Sequence, residues 1–278
     1  MSDAREKVER ASLQVAPGLE TLARFGYASK GVVYGTVGAL ALGLALGAGG
    51  STTDTRGALL RLQDLPGGSV VLWILMVGLV GYALWQLVRA MLDPEHQGTG
   101  ARGLVKRAGY LISGGAYLVL AVFSARVAAQ GSAPRDPNSE AQAAQQVLQL
   151  PGGQLLLGLA GVALLAVAAH QLYNAYGARF MKRMALTDVG AQYKVTLRRI
   201  GQLGVAARGL LLGLVGIFLL VAAWRSQASV VIGTAEALAW LREQPAGQFL
   251  LGAVAVGTLC YGVWCLTQAL YRRIKVAD

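Results

Sequence analysis

The sequence predicts an all-α membrane protein with six transmembrane helices, built from three tandem two-helix repeats with pseudo-threefold symmetry about the membrane normal. Hydrophobic residues make up 55% of the 278 residues, more than soluble domains usually contain. A proline followed by small residues and a long apolar stretch occurs three times, starting at Pro66, Pro151 and Pro245. Since a fixed period of self-similarity indicates repeated structural units, the chain is read as three copies of one unit.

Six apolar stretches define the spans, because each is long enough as a helix to cross a hydrocarbon core of about 30 Å. No stretch alternates with period two, and an open strand edge has no partner in lipid, so helices are expected. The predicted spans cover 26–48, 68–91, 109–129, 152–175, 204–225 and 247–270. The predicted repeats cover 23–93, 105–176 and 201–272, with a basic cytoplasmic linker at 177–200. Residues 1–22 form a charged, amphipathic cytoplasmic segment without the apolar core of a signal peptide, so we expect the first span to direct insertion.

The net charge of +11 is distributed unevenly between the two sides of the predicted membrane. With the N-terminus in the cytoplasm, the cytoplasmic segments hold 16 Lys or Arg and 8 Asp or Glu, whereas the outer loops hold 4 and 6. Basic residues concentrate on the cytoplasmic side of membrane proteins, which places both termini there. Because topology accounts for the basic charge, no nucleic-acid partner is expected.

A short amphipathic helix is predicted on the outer face of each repeat, between its two spans. These helices cover 57–65, 141–150 and 234–244, and each ends before a proline. The polar residues that precede them are expected to cap their N-termini: Thr53 and Asp54, Asn138 and Ser139, and Thr234. The short helices either cover the centre of the molecule or fill the loops, and the sequence leaves both interpretations open.

Glycines spaced by four residues occur in the first span of two repeats. Gly31 with Gly35, and Gly209 with Gly213, would allow two helix backbones to approach closely in lipid. We expect helix packing from these pairs, with a hinge or a pore lining as the alternative.

The predicted linker carries basic residues interleaved with apolar ones. These are Arg179, Lys182, Arg183, Lys194, Arg198 and Arg199. Each basic residue near an anionic leaflet contributes on the order of 1 kcal/mol, so contact with anionic phospholipid is expected. The alternative is a simple topological anchor, and the same two interpretations apply to Arg272, Arg273 and Lys275.

The polar residues within the predicted spans contain no Asp or Glu. Proton relays and sodium-coupled transporters usually need an intramembrane carboxylate, so this absence argues against both. The other polar residues of the spans form sets at equivalent positions of the repeats, and the members of each set lie at the same depth in the membrane. These sets are Lys30, Ser113 and Arg208; Gln86 and Gln171; and Arg89 and Asn174. If they point inward, they form an electropositive vestibule for an anion or a lipid head group. If they point outward, Lys30 and Arg208 extend to the membrane surface.

Aromatic residues near the same boundary are expected to form a belt at the water interface. They are Trp85, Trp264, Tyr82, Tyr173 and Tyr261. A stacking platform for an aromatic ligand is the alternative.

Catalytic and cofactor signatures are missing from the sequence. The only histidines, His96 and His170, have no second metal ligand at a useful spacing. Neither a phosphate-binding glycine loop nor a Gly-x-Ser-x-Gly motif is present. Cys260 and Cys265 are expected to be packing residues on different faces of the last span. We therefore expect no cofactor, no metal and no enzymatic activity.

The repeated motifs resemble the bacterial membrane family known as domain of unknown function 1206. The residues that carry the resemblance are Arg24, Gly26, Tyr27, Lys30 and Gly31, then Gly57, Ala58 and Leu59, then Pro66 and Gly68, then Gly81, Tyr82, Ala83, Trp85 and Ala90. The resemblance extends from Arg24 to Tyr271 and implies three two-helix units in a bacterial cytoplasmic membrane, without an assigned activity. The sequence departs from the pattern at His170, Val205 and Cys265, which replace tryptophan, tyrosine and glutamine.

Three functional hypotheses follow, in order of preference. The first is a non-enzymatic membrane protein that interacts with the lipid bilayer, anionic phospholipid above all, or with membrane-protein partners. The second is a channel or facilitator for a small or anionic solute through the pseudo-threefold centre. The third, an enzyme acting on lipid, is the least favoured because no acid-base pair is present.

Overall fold

The computed structural model describes residues 2–93, 98, 100–133, 139–186 and 190–272, and this part of the chain is helical. Six of its helices are long and apolar enough to cross a membrane, which confirms the predicted class and the six spans. These are α1 (Ser2–Ala45), α3 (Gly68–Met91), α4 (Ala101–Gln130), α6 (Gly153–Tyr176), α7 (Ala191–Arg225) and α9 (Gly247–Tyr271). The short helices between them are α2 (Thr55–Gln63), α5 (Ser139–Leu148) and α8 (Thr234–Glu243). Single 3-10 turns cover Arg179–Arg183 and Ala228–Val230.

Three long helices begin well before the predicted spans, and one of them is α4, which starts at Ala101. α1 continues from the charged N-terminal segment without a break, and its apolar part is Gly18–Ala45. α7 begins at Ala191, so the second half of the predicted linker is helical. The segment 1–22 was predicted to be amphipathic. Most of the side chains on which this depends belong to residues 1–17, and they lie outside the described side chains.

The second long helix of each repeat starts at a tight turn that follows the proline. Gly67, Gly152 and Ala246 occupy equivalent positions, and all three have a left-handed backbone, with φ of 75°, 75° and 59°. This conformation favours glycine, because a Cβ there clashes with the backbone. The repeated motif is therefore a chain reversal that joins each short helix to a span.

The short helices lie at one end of the bundle, which we call the short-helix end. Asp54 caps α2 as predicted, since its Oδ1 accepts a hydrogen bond from the Gly57 backbone N–H at 2.8 Å. The prediction for α8 was wrong by one residue: Gly233 is its N-cap, and Glu236 accepts from the Gly233 N–H at 3.0 Å. Asn138, predicted to cap α5, lies outside the described residues.

The repeats are arranged in a ring in which the first long helix of each repeat packs against the second long helix of the preceding one. α1 packs on α9, α4 on α3, and α7 on α6. These three contacts join each repeat to the next in the same way, which agrees with the predicted pseudo-threefold arrangement.

Glycine at one equivalent position brings these helices together. A Cβ added to Gly31 would lie 2.7 Å from the Leu266 side chain, and one added to Gly209 would lie 3.3 Å from that of Leu172. Gly114 approaches the equivalent leucine, Leu87, in the third pair of helices. Such contact requires small residues, because van der Waals packing drives helix association in lipid.

The paired glycines predicted in the sequence lie at these interfaces. Gly35 faces Gly262 of α9, where an added Cβ would come 2.8 Å from the Gly35 nitrogen. Gly213 faces Ala168 of α6, whose Cβ would be 3.7 Å from a Cβ at Gly213. Their positions favour the packing interpretation over a hinge or a pore lining.

A second repeated contact closes the ring at the opposite end of the bundle, which we call the basic end. Arg24 donates hydrogen bonds to the backbone oxygens of Ala269 and Leu270, at 2.8 and 2.7 Å. At the equivalent positions, Arg107 and Gln202 donate to the last carbonyls of α3 and α6. Each first helix thus satisfies carbonyl groups that the neighbouring helix end leaves without intrahelical partners.

The two long helices within a repeat pack closely in the first and third repeats. A Cβ at Gly26 would lie 2.6 Å from the Tyr82 backbone nitrogen, and one at Gly204 would lie 2.5 Å from that of Tyr261. The second repeat differs, because Gly109 has no neighbour within 4 Å at this position. α4 and α6 make almost no contact along their described residues. The ring is therefore open on the side of the second repeat.

Candidate functional site

A cavity of about 190 Å³ lies at the basic end of the bundle, between the repeats. Its charged lining consists of four basic residues, Lys30, Arg89, Arg208 and Arg272. Tyrosines, glutamines and two apolar residues complete the lining: Tyr27, Tyr82, Tyr261, Gln171, Gln268, Val205 and Trp264. The cavity thus brings together four of the seven predicted vestibule residues, namely Lys30, Arg89, Arg208 and Gln171.

Lys30 is enclosed by tyrosines at the floor of this cavity. Its side chain is only 3% exposed, and its Nζ donates a hydrogen bond to the Tyr82 hydroxyl at 3.1 Å. The same Nζ lies 4.2 and 4.9 Å from the ring centroids of Tyr82 and Tyr117, within the range of cation–π attraction. Lys30 therefore points into the bundle and does not extend along the lipid surface.

Arg208 has the equivalent arrangement in the third repeat. Its Nη1 donates to the Tyr261 hydroxyl at 2.5 Å, and its guanidinium carbon lies 5.0 Å from the centroid of that ring. Tyr34 of the first repeat is also near the guanidinium, at 5.8 Å. A cation on the first helix thus pairs with a tyrosine on the second helix in two of the three repeats.

Arg89 stands on α3, nearer the mouth of the cavity. Its Nη1 donates to Oε1 of Gln86 at 2.7 Å, and its guanidinium lies 3.7 Å from the centroid of Tyr110. Gln86 is buried and orients Arg89, but it does not line the cavity.

Arg272 was expected to lie at the membrane surface, as a contact to anionic lipid or as a topological anchor, but its side chain turns into the bundle. The residue is buried, lines the cavity and donates from Nη1 to Oε1 of Gln268 at 2.8 Å. Its guanidinium lies 5.0 Å from the ring centroid of Tyr27. Arg273 and Lys275, which were interpreted in the same way, lie outside the described residues.

The two cations at the floor of the cavity have no acidic partner within the described residues. The ion pairs found there join Arg24 to Glu20 and Arg61 to Asp64. Lys30 and Arg208 contact tyrosine hydroxyls and rings. Because buried charges are costly in membrane proteins and usually mark functional positions, these two residues are the first candidates for contact with a ligand.

Two of the predicted vestibule residues stand apart from this cluster. Ser113 and Asn174, both half-buried, are not among the lining residues. Both belong to the second repeat, where α4 and α6 are separated. Ser113 replaces the cation of the other repeats, and Val167 replaces their tyrosine.

A tyrosine contact and apolar side chains lie on the short-helix side of Lys30. The hydroxyls of Tyr34 and Tyr117 approach to 3.4 Å above the floor of the cavity. Seven residues after Lys30, Ser113 and Arg208, the three repeats have apolar side chains that belong to, or pack against, one apolar core. These are Val37, Leu120 and Val215. Apolar side chains of all three repeats therefore meet at this depth.

The interface belt predicted for the aromatic residues is wrong for four of the five. Trp85, Tyr82, Trp264 and Tyr261 are buried among the helices. Tyr173 is exposed, as expected of a belt residue, and accepts a hydrogen bond from Arg179. The sequence did contain a signal for the true role of Tyr82 and Tyr261: each is present where its repeat has Lys30 or Arg208, and absent where the repeat has serine.

The basic segment predicted to contact anionic lipid folds back on the basic end. Its apolar residues turn inward, as Phe180 stacks edge-on against Trp264 with the ring centroids 4.6 Å apart. Arg179, Lys182, Arg198 and Arg199 are exposed, Lys194 is half-buried, and the side chain of Arg183 lies outside the described ones. Contact of this segment with lipid stays a prediction.

Comparison with known proteins assigns the family. The model of a family described as Domain of Unknown Function (DUF1206) matches three tandem segments, residues 25–93, 108–178 and 203–272. The chain is 32% identical over 262 residues to the uncharacterized protein YxxB of Bacillus subtilis (strain 168), and the match covers 94% of each chain. No solved structure matches it significantly. The chain is therefore a multi-pass membrane protein that belongs to the DUF1206 family.

Proposed function

We propose that this protein is a non-enzymatic membrane protein whose basic cavity binds the phosphate of an anionic phospholipid head group. The observation that carries the proposal is the pair of buried cations, Lys30 and Arg208, whose described neighbours include no carboxylate. Phosphate suits such a site, because lysine and arginine donate strong charge-assisted hydrogen bonds to it.

The size of the cavity limits what can bind. One water occupies about 30 Å³ of liquid, so a cavity of about 190 Å³ has the volume of about six waters. A phosphate or a similar small anion fits this volume, whereas a complete phospholipid with its acyl chains does not. The head group would therefore occupy the cavity while the chains remain outside it.

The location of the site favours a lipid of the cytoplasmic leaflet. The excess of Lys and Arg in the segments at the basic end favours a cytoplasmic position for that end. Arg198 and Arg199 are exposed beside it and would attract anionic lipid to the surface. Both termini are then cytoplasmic, and lipid reaches the cavity from the adjacent leaflet.

A facilitator for small anions is the second candidate, and the four cations of the cavity favour it equally. Against conduction stand the tyrosine contact between Tyr34 and Tyr117 and the apolar core beyond it. The experiment must therefore separate a phosphate carried by a lipid from a free phosphate.

The test uses the full-length protein in mild detergent, mixed with phosphatidylglycerol or phosphatidylcholine and weighed by native mass spectrometry. We expect retention of phosphatidylglycerol in preference to phosphatidylcholine. Lys30→Gln and Arg208→Gln should each lower retention by at least about tenfold, because a hydrogen bond to a charged group contributes about 1.5–3 kcal/mol and about 1.4 kcal/mol is a factor of ten. Arg225→Gln is the matched control, since it removes one charge from the opposite end of the same helix, where the residue is exposed.

Unchanged retention in both glutamine variants would overturn the proposal. Glycerol phosphate and inorganic phosphate serve as competitors that carry the phosphate without acyl chains. If they displace the lipid at equal concentration, the site recognises the free anion, and the facilitator becomes the better assignment.

A further inference from the structure

We infer that the open side of the second repeat is a lateral portal that holds an acyl chain of the phospholipid whose head group occupies the cavity. The inference rests on the proposed function. It adds the path by which the lipid enters and the place where its acyl chain binds. We call this opening the second-repeat cleft and define it by Gly109 and Ile112 of α4 and Ala163 and Val167 of α6.

The cleft is recognised by comparing equivalent positions of the three repeats. Ile112 is 75% exposed, whereas its counterparts Ser29 and Ala207 are 2% and 6% exposed. Those counterparts are buried because the two long helices of their own repeats press together there. In the second repeat the same position carries a large apolar side chain with nothing packed on it.

The facing helix shows the same contrast. Val167 is 47% exposed, while its counterparts Tyr82 and Tyr261 are each 5% exposed. Ala163 is also exposed. The equivalent residue in each of the other two repeats is a glycine, and it lets the first long helix of that repeat pack closely there. Both walls of the cleft are therefore apolar and unpartnered at the depth where the other repeats are closed.

The cleft adjoins the basic cavity. Gln171 lines the cavity and lies one helical turn from Val167 on α6, on the side of the basic end. The remaining described lining residues come from α1, α3, α7, α9 and Arg272, so α4 contributes no described side chain to the cavity wall. Among the described residues, the second repeat therefore takes part in the lining through Gln171 alone.

Charge complementarity identifies the occupant. The described lining of the cavity contains four basic residues and no acidic one, and the cleft presents apolar side chains to the hydrocarbon region, so a ligand with an anionic head and an apolar chain fits both. A second copy of this chain would fit less well, because its spans offer Glu20 as their sole carboxylate, and Glu20 is bonded to Arg24 at 2.7 Å. The occupant assigned to the cleft is therefore an anionic phospholipid.

The experiment compares two substitutions of one type on α6 in the full-length protein. Val167→Trp fills the cleft, whereas Val162→Trp places the same bulk on a surface that is exposed in all three repeats, at Val77, Val162 and Val256. We expect Val167→Trp to cause a clear loss of phosphatidylglycerol retention, because the indole occupies the place of the acyl chain and removes its van der Waals contacts with the cleft. Val162→Trp should retain as much lipid as the wild type.

A second measurement uses the wild-type protein, so it does not depend on how the variant folds. Phosphatidylglycerol with a photoreactive diazirine in its acyl chain is bound, illuminated and mapped by peptide mass spectrometry. We expect the strongest labelling on the peptides that contain Ile112 and Val167, and loss of this labelling in Lys30→Gln.

The outcomes separate the portal from the proposed function. Lipid retention that depends on Lys30 but is unchanged by Val167→Trp, with labelling elsewhere, would overturn the portal and leave the head-group site standing. Failure of the wild type to retain phosphatidylglycerol would overturn the proposed function and the portal together. A dimer that Val167→Trp converts to monomer with unchanged lipid would assign the cleft to a second copy and overturn the portal.

Discussion

Replacement of Gly204 by alanine tests whether the helices within a repeat are held together by direct backbone contact. An added Cβ would lie 2.5 Å from the backbone nitrogen of Tyr261. Nonbonded carbon atoms are optimally separated by about 3.5–4.0 Å, so α7 and α9 would have to part by about 1 Å. Overpacking of this kind costs about 1–3 kcal/mol.

The second repeat supplies the matched control. Gly109 is the equivalent residue, but no atom beyond its own stretch of helix lies within 4 Å of an added Cβ there. Both substitutions gain about 1 kcal/mol of helix propensity, which cancels when the two variants are compared. Gly204→Ala should therefore be about 1–3 kcal/mol less stable than Gly109→Ala, and Gly109→Ala should be at least as stable as the wild type.

The free energy of unfolding is measured in mixed micelles by titration with a denaturing detergent, with far-ultraviolet circular dichroism as the signal. Equal stability of the two variants would refute the reasoning, because it would mean that α7 and α9 do not touch at this position. Greater destabilisation by Gly109→Ala would show that the second repeat is closed as the others are.

The remaining predictions concern two repeated local contacts. Arg24→Gln should lower the free energy of unfolding by about 1–2 kcal/mol, because charged hydrogen bonds to the carbonyls at the end of α9 are lost. Arg61→Gln, which breaks an exposed ion pair, should change it by less than about 1 kcal/mol, and equal effects would contradict the capping role. Ala246→Gly should raise stability by about 1 kcal/mol, since it relieves a left-handed alanine with φ of 59°. Gly152→Ala should lower stability by a similar amount, and a gain in stability there would contradict the assignment of the turn.

Much of the architecture could be predicted from the sequence, because its signals are local and occur three times. The six spans follow from apolar stretches of sufficient length, and their number is confirmed. The turns at Gly67 and Gly152 follow from residues that permit a left-handed backbone. The repeated Lys30 and Arg208 indicated a basic site at one depth, since equivalent residues of tandem repeats are placed alike.

The direction of each side chain was decided by the tertiary structure, because a hydrophobic helix in lipid has no polar face to orient it. Trp85 and Tyr82 have the composition of an interface belt, and only the packing of α1 and α3 places them inside the bundle. The cavity likewise depends on contacts between residues far apart in sequence, such as Arg272 with Tyr27. The opening in the second repeat has the same origin: the loss of Tyr and Gly at single positions is visible in the sequence, but whether α4 and α6 separate depends on how the whole ring closes.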